Sequence, residues 1–320
     1  VTTLPRITPM LATPGTLPAA RDDRRWAYES KHDGQRAVVE LPGDGTLLLR
    51  SRSGADITAA YPELLSLGAA ADDGAPAVLD GEVVALDEEG RPDFERLQYR
   101  MGRSGPSAKA ARLVPGNPVH LLLFDVMFLR GRSLLRLPYA ERRAALEGLG
   151  LRGPYWSTPA ALHGHGAQAL AATKERGLEG VVCKRLDSVY TPGIRSRSWI
   201  KIRNIRTVDA IVGGWVPGRG HLAGLPGALL LGRYEAGALR YVGNVGTGWN
   251  DRERALLAEL LRIAAVDDCP FAEVPPVPDA RWVLPRLVGE VRYATETRAG
   301  LLRQPSWHRL RPDLAPGDTG

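Results

Sequence analysis

This sequence is short of long apolar runs, of cysteine and of lysine, and each shortage narrows what the chain can be. No run approaches the roughly twenty apolar residues that a membrane-crossing helix needs, so no membrane partner is expected. Residues 1–20 are rich in Pro and Thr and lack the basic-then-apolar order of a signal peptide. Only two cysteines occur, Cys183 and Cys269, far apart and outside any CxxC pattern. That excludes a four-cysteine zinc site and fits a reducing, intracellular setting, with both thiols expected as buried apolar side chains rather than reagents. The histidines, His32, His163, His165 and His308 among them, show no metal-ligand spacing and are expected to be surface or structural groups.

The scarcity of lysine is sharper. Of 42 basic residues only Lys31, Lys109, Lys174, Lys184 and Lys201 are lysine. Where arginine serves for charge, a retained lysine is a candidate for work arginine cannot do, such as losing its proton to attack an electrophile. Lys109 and Lys174 stand in polar contexts and read as ordinary surface groups. The other three stand in apolar or patterned segments.

What remains is the composition of a globular chain: 320 residues, 44% hydrophobic and 24% charged, enough for one large domain with a smaller companion. The net charge of +6 permits nucleic-acid binding without demanding it. Residues 205–320 carry 14 basic and 13 acidic groups, so the surplus lies in the first two thirds. Within 184–206, Lys184, Arg185, Arg195, Arg197, Lys201, Arg203 and Arg206 face a single acid, Asp187. That segment is a candidate phosphate-binding surface, with a solvated basic loop as the plain alternative.

Apolar runs and alternation predict strands at 26–29, 37–41, 47–50, 78–86, 120–129, 180–184 and 199–202, and helices at 139–149 and 167–176. Strands interleaved with a few helices predict an α+β domain over 1–204. Beyond it, strands at 209–215, 228–234, 238–245 and 287–293, with a helix at 251–264, predict a small β-barrel of the OB type over 205–320. The Pro-rich stretch 270–285 reads as an extended connector, and the tail after Asp313 as frayed.

The chemistry-bearing segment is Glu29-Ser30-Lys31-His32-Asp33-Gly34-Gln35-Arg36, placed where a strand gives way to a turn. In order there follow Arg50-Ser51-Arg52-Ser53-Gly54, Asp80-Gly81-Glu82, Phe124-Asp125, Glu179-Gly180-Val181-Val182-Cys183-Lys184 and Trp199-Ile200-Lys201-Ile202-Arg203. This ordered set resembles the covalent nucleotidyltransferase superfamily, and specifically ATP-dependent DNA ligases of the kind found as ligase modules of bacterial end-joining and repair systems. The likeness covers nearly the whole chain, including the Gly-rich turn at 242–248.

The resemblance implies a nucleotidyltransferase (adenylation) domain followed by an OB-fold domain. It implies Lys31 as the nucleophile of a lysyl-AMP intermediate, with Lys184 and Lys201 at the α-phosphate. An attacking amine must be neutral, a form that desolvation and cations such as Arg36, Lys184 and Lys201 favour. Glu82 and Glu179 are implied for ribose and for the metal ion respectively, both as candidate ligands of Mg²⁺ or Mn²⁺. Glu29 resembles the acceptor of the adenine amino group, and Arg36 and Arg52 the contacts to ribose and 5′-phosphate. Phe124 is implied to stack on adenine, with a plain core aromatic as its competitor. Arg195 and Trp199 fit a supporting loop. Arg203 stands where the family usually has lysine.

The implied reaction uses ATP to seal nicked double-stranded DNA in DNA repair and recombination. The implied setting is a monomer in the bacterial cytoplasm, at the nucleoid, with a DNA-end-binding protein or a repair polymerase as further partners. ATP is expected over NAD because neither a nicotinamide-binding domain nor a four-cysteine zinc module is seen. With no helical DNA-binding domain read ahead of Lys31, the two domains or a partner are expected to hold DNA. An RNA ligase, a capping-type nucleotidyltransferase, and a DNA-end-binding module without sealing activity are the alternatives. The family's last motif usually reads Arg-x-Asp-Lys and orients pyrophosphate. Here Arg311-Pro312-Asp313-Leu314 lacks the lysine, leaving that role in doubt or passing it to Arg309 or Arg311.

Overall fold

The structure, a computed structural model, describes residues 4–71, 74–101, 110–297 and 299–319. Lys109 lies outside the described residues. The chain divides into two compact units, Val1–Asn204 and Ile205–Gly320.

The first unit is built on two sheets. One has the order β1 (Leu11–Pro14), β8 (Arg195–Arg203), β7 (Gly180–Arg185), β2 (Trp26–Lys31), with the short strand Leu162–His163 at its edge. The other runs β4 (Leu48–Ser51), β3 (Gln35–Leu41), β5 (Ala77–Ala85), β6 (Val119–Leu129). Strand period sorts their side chains into layers. On β3, Ala37, Val39 and Leu41 point into the main core with Leu64, Leu67 and Leu146, while Val38 points between the sheets toward Met10, Val78, Tyr190 and Trp199. On the first sheet, Tyr28, Val181 and Cys183 pack under helix α2 (Gly166–Glu175). Each fully buried side chain of this kind contributes about 1.5–3 kcal/mol. Helix α1 (Tyr139–Gly148) buries Tyr139, Arg142, Arg143 and Leu146.

In the second unit, the antiparallel sheet has the order β11 (Ala238–Val245), β10 (Pro226–Glu235), β9 (Arg206–Pro217), β12 (Arg281–Tyr293), and β13 (Ser306–Leu310) also pairs with β12. Helix α3 (Asp251–Ile263) starts in a reciprocal cap: Glu253 N donates to the Asn250 side chain at 2.9 Å and Asn250 N to the Glu253 carboxylate at 3.0 Å. The predicted connector is partly strand. Leu287–Tyr293 pairs with one half of β9 and Arg281–Trp282 with the other, so Pro285 falls in the interruption, where no ladder bond is asked of it. The register of β9 shifts at Gly213, where a Cβ would stand 2.5 Å from the Phe271 ring. Such bulges bend the sheet around Val212, Leu231, Val242, Leu257 and Trp307.

The tail is not frayed as far as Thr319, which is buried after the short 3-10 turn Pro316–Asp318. No helix among the described residues is long and apolar enough to cross a membrane.

Candidate active site

Register explains how residues scattered over 170 positions of sequence (Glu29 to Trp199) meet. Lys31 lies opposite Gly180, and Gly180 opposite Arg203; Glu29 lies opposite Val182, and Val182 opposite Lys201; Lys184 lies opposite Trp199. Because alternate residues share a face, Glu29, Lys31, Val182, Lys184, Trp199, Lys201 and Arg203 all sit on the side of the first sheet away from α2. Gly180, at φ 145°, is required between Lys31 and Arg203: a Cβ there would stand 2.0 Å from the Ile202 carbonyl oxygen.

The second sheet supplies the opposite wall. Arg36 on β3 is the register partner of Glu82 on β5. On β6 the pairing slips between Leu123 and Asp125, so Phe124 is the extra residue of a β-bulge, a device that re-aims a side chain. Gly34 lets the turn after Lys31 close on β5, since a Cβ there would stand 2.3 Å from the Val83 carbonyl oxygen. Between the walls lies a cavity of about 210 Å³ lined by Glu29, Lys31, Arg36, Arg52, Glu82, Phe124, Lys184, Arg195, Trp199 and Lys201, together with Leu11, Ala12, Ser30, His32 and Val182. Glu179, just before β7, reaches it through an ion pair with Lys31 and also meets Arg203 at 3.1 Å.

The charges are sorted along the cavity. At one end Lys201 has no ion-pair partner among the described residues; burial first, then Arg203, Lys31 and Arg195, lower its pKa. At the other end Lys184 is 1% exposed, 2.7 Å from Glu29 Oε2, and donates to the Phe124 carbonyl at 3.2 Å. Its ammonium lies 4.4 Å from the Trp199 ring centre and 4.5 Å from that of Phe124. Burial lowers its pKa while Glu29 opposes the shift. Lys184 therefore stands with Glu29 on the cavity floor, its charge already engaged, rather than as a free cation beside Lys31.

Arg36 is held by Asp80 in a bidentate pair at 2.5 and 2.6 Å, and Asp80 also accepts from Tyr190 at 2.5 Å. Its guanidinium lies 4.7 Å from the Phe124 ring centre. Glu82 faces the cavity with no hydrogen-bond partner among the described residues. Burial raises its pKa from 4.5 to about 7, with Arg36 and Lys31 pulling down and Asp80 and Glu179 pushing up. The oxygen-only, partly anionic character of Glu82 and Glu179 suits a hard divalent cation that keeps water and phosphate oxygens as its other ligands. Among the described residues no cluster of three or more His, Cys, Asp or Glu groups forms a metal cage.

Two readings of the sequence change. His32 is no surface group: it lines the cavity, its Nδ1 is buried without a hydrogen bond, and burial lowers its pKa to about 4. Phe124 is both cavity wall and core neighbour, since it also packs against the Met10–Trp199 cluster. Sequence reasoning missed Tyr139 and Arg143 of α1, which converge on Glu29, and the fully buried Arg142–Asp125 pair at 2.8 Å. The only signal was a helix whose buried stripe contains arginines.

In the second unit, Arg311 spends its donors on Asp313, at 2.8 and 2.9 Å, and on Asp209 at 2.9 Å, while Arg309 is 60% exposed and meets Glu290 at 2.6 Å. Of the two candidates for the missing lysine's role, Arg309 is thus the less committed. Leu314 packs against the Ile211, Leu230, Leu239, Phe271 and Val288 cluster.

Comparison with known proteins converges on one family. Residues 9–203 match the family described as ATP dependent DNA ligase domain, and residues 223–314 its C terminal region. The multifunctional non-homologous end joining protein LigD of Mycolicibacterium smegmatis is 42% identical over 313 residues, 97% of this chain; the chain spans 39% of that relative's length. The ligase domain of M. tuberculosis LigD is 41% identical, with 98% of each chain covered and a TM-score of 0.55. A mycobacterial DNA ligase D complexed with ATP and MES is 40% identical, with the same coverage and TM-score. The chain belongs to the ATP-dependent DNA ligases, whose fold joins a nucleotidyltransferase domain to a C-terminal OB-fold domain.

Proposed function

We propose that this chain seals nicks in double-stranded DNA at the expense of ATP, in end-joining repair, with Lys31 as the group that carries AMP. The observation behind the reading is the shared face of β2, β7 and β8, which lines up Lys31, Lys201 and Glu29 along one cavity. The base end is Glu29, Phe124 and Trp199; the phosphate end is Lys31 and Lys201, with Arg52 and Arg195 at the rim.

In the first step the Lys31 amine forms a bond to the α-phosphorus and the bond to the β-phosphate oxygen breaks, releasing pyrophosphate. Glu179 Oε2, already hydrogen-bonded to Lys31 Nζ, is placed to take the proton. Lys201 stabilises charge on the phosphoryl oxygens. A 5′-phosphate oxygen at the nick then takes AMP from Lys31, and the 3′-hydroxyl displaces AMP to form the phosphodiester. A divalent ion held by Glu82 and Glu179 would neutralise phosphate charge. The 40% identical ligase whose structure holds ATP supports the choice of nucleotide.

The test is incubation with α-labelled ATP, Mg²⁺ or Mn²⁺ and a nicked duplex, following protein-bound AMP and sealed product. Lys31→Arg keeps the charge but cannot deprotonate, so its labelling is expected to be lost. Substantial labelling of Lys31→Arg would remove Lys31 as the nucleophile.

A further inference from the structure

We infer that Tyr139 and Arg143, four residues apart on the buried side of α1, hold the Glu29 carboxylate in the orientation that selects adenine over guanine. The inference rests on the reading that Glu29 meets the amino group of the base. Neither side chain lines the cavity, so both are positioning residues that act through Glu29.

A carboxylate has about four lone-pair sites for hydrogen bonds. Lys184 Nζ occupies one on Oε2 at 2.7 Å, and the Tyr139 hydroxyl donates to Oε1. Arg143 Nη1, buried and without a hydrogen bond, lies 3.6 Å from that same Oε1. Two donors thus engage Glu29 from the protein side, with the Arg143 charge beside Oε1, leaving a place among the remaining acceptor sites for a donor arriving from the cavity. An adenine amino group fits that place. Guanine presents a carbonyl oxygen at the same ring position, which would meet a carboxylate that has no proton to give.

Selection therefore depends on the carboxylate plane, and α1 fixes that plane. Residues four apart on a helix share a face, which brings the Tyr139 hydroxyl and the Arg143 guanidinium to one oxygen. Tyr139 is 0% exposed. Burial, and then Glu29 itself, keep its hydroxyl far above its ordinary pKa, so it remains a donor. Arg143 cannot swing away, because Nε donates to Glu147 at 2.7 Å and Nη2 to the Pro159 carbonyl. Without the Tyr139 hydroxyl, Oε1 keeps only the long contact to Arg143, and the carboxylate can turn about its Lys184 bond.

The experiment compares wild type with Tyr139→Phe, Arg143→Lys and Glu29→Gln. It measures kcat and KM for covalent labelling with α-labelled ATP and α-labelled GTP as probes, alongside thermal melting. Tyr139→Phe is expected to keep the ATP kcat within about twofold, to raise the ATP KM, and to lower the ATP-over-GTP preference about tenfold, the size of one lost hydrogen bond. Arg143→Lys should lower the preference less. If Tyr139→Phe does not fold, Arg143→Lys carries the comparison alone. Equal losses with both nucleotides, or an unchanged preference, overturn the inference. An unchanged preference in Tyr139→Phe and Arg143→Lys with a collapsed one in Glu29→Gln overturns the positioning role and leaves the Glu29 reading standing. An unchanged preference in all three overturns both.

Discussion

The half-buried Glu82 offers a test that needs no nucleotide. Burial lifts its carboxyl from 4.5 to about 7, so the folded chain keeps a proton that the unfolded chain has given up over that interval. Stability from this group is fully present below about pH 4.5 and is lost as pH rises through about 7. At about 1.4 kcal/mol per pH unit the full effect is about 3 kcal/mol, and water at the cavity mouth trims it to about 2 kcal/mol. Glu82→Gln keeps the shape and removes the titration. Wild type should therefore lose about 2 kcal/mol relative to Glu82→Gln between about pH 5 and about pH 8.5. Other titrating groups are common to both chains and cancel in the difference, apart from Arg36, Lys31, Asp80 and Glu179, which feel Glu82 directly. The measurement is urea unfolding of the full chain with a chelator present, across that pH range. A difference that stays flat with pH would falsify the account of Glu82 as a desolvated, unpartnered acid.

Two further perturbations follow from the partners seen. Arg197 is exposed and has no ion-pair partner among the described residues, whereas Arg185 is paired with Asp187 at 2.6 Å. Arg197→Ala should reduce the log–log salt slope of nick binding by about one, and Arg185→Ala by less; equal slopes in the two variants would refute this ordering. Leu314→Lys, which the family pattern favours, should instead destabilise the second unit by about 1 kcal/mol through lost apolar contact, read as a lower melting temperature of that unit. An unchanged melt would show that Leu314 contributes nothing to the cluster.

The ordered motifs name the candidate residues through their resemblance to a family, and strand period sorts those residues onto faces. Once 26–29, 180–184 and 199–202 are strands, the alternation of Lys31 with Glu29, of Lys184 with Val182 and of Lys201 with Trp199 fixes which side chains share a face. What period cannot give is pairing over long separations. The four-residue β1 carries too little pattern to announce itself, yet it pairs in parallel with β8 and brings Leu11 and Ala12 to the cavity. Pro285 hid the continuity of β12, because a break in the ladder has no signature beyond the proline itself. Tyr139 meets Glu29 across 110 residues, a contact that no local rule anticipates. His32 falls on the structural side of the surface-or-structural alternative, because nothing local marks a lone histidine at a turn as part of a cavity wall.

The adjacent acids Asp80 and Asp125 bear on how the first unit assembles. They are register partners on β5 and β6, both 0% exposed, and each is neutralised from elsewhere: Asp80 by Arg36 on β3, Asp125 by Arg142 on α1. Burying that face of the β5–β6 pair without its arginines would press two like charges together away from water, a cost of several kcal/mol. Burial of the two acids is compensated by Arg36 of β3 and Arg142 of α1, which come from distant parts of the sequence. The wall that carries Arg36, Glu82 and Phe124 thus rests on two buried ion pairs, so losing either arginine would leave a buried charge unpaired and loosen the cavity along with the core.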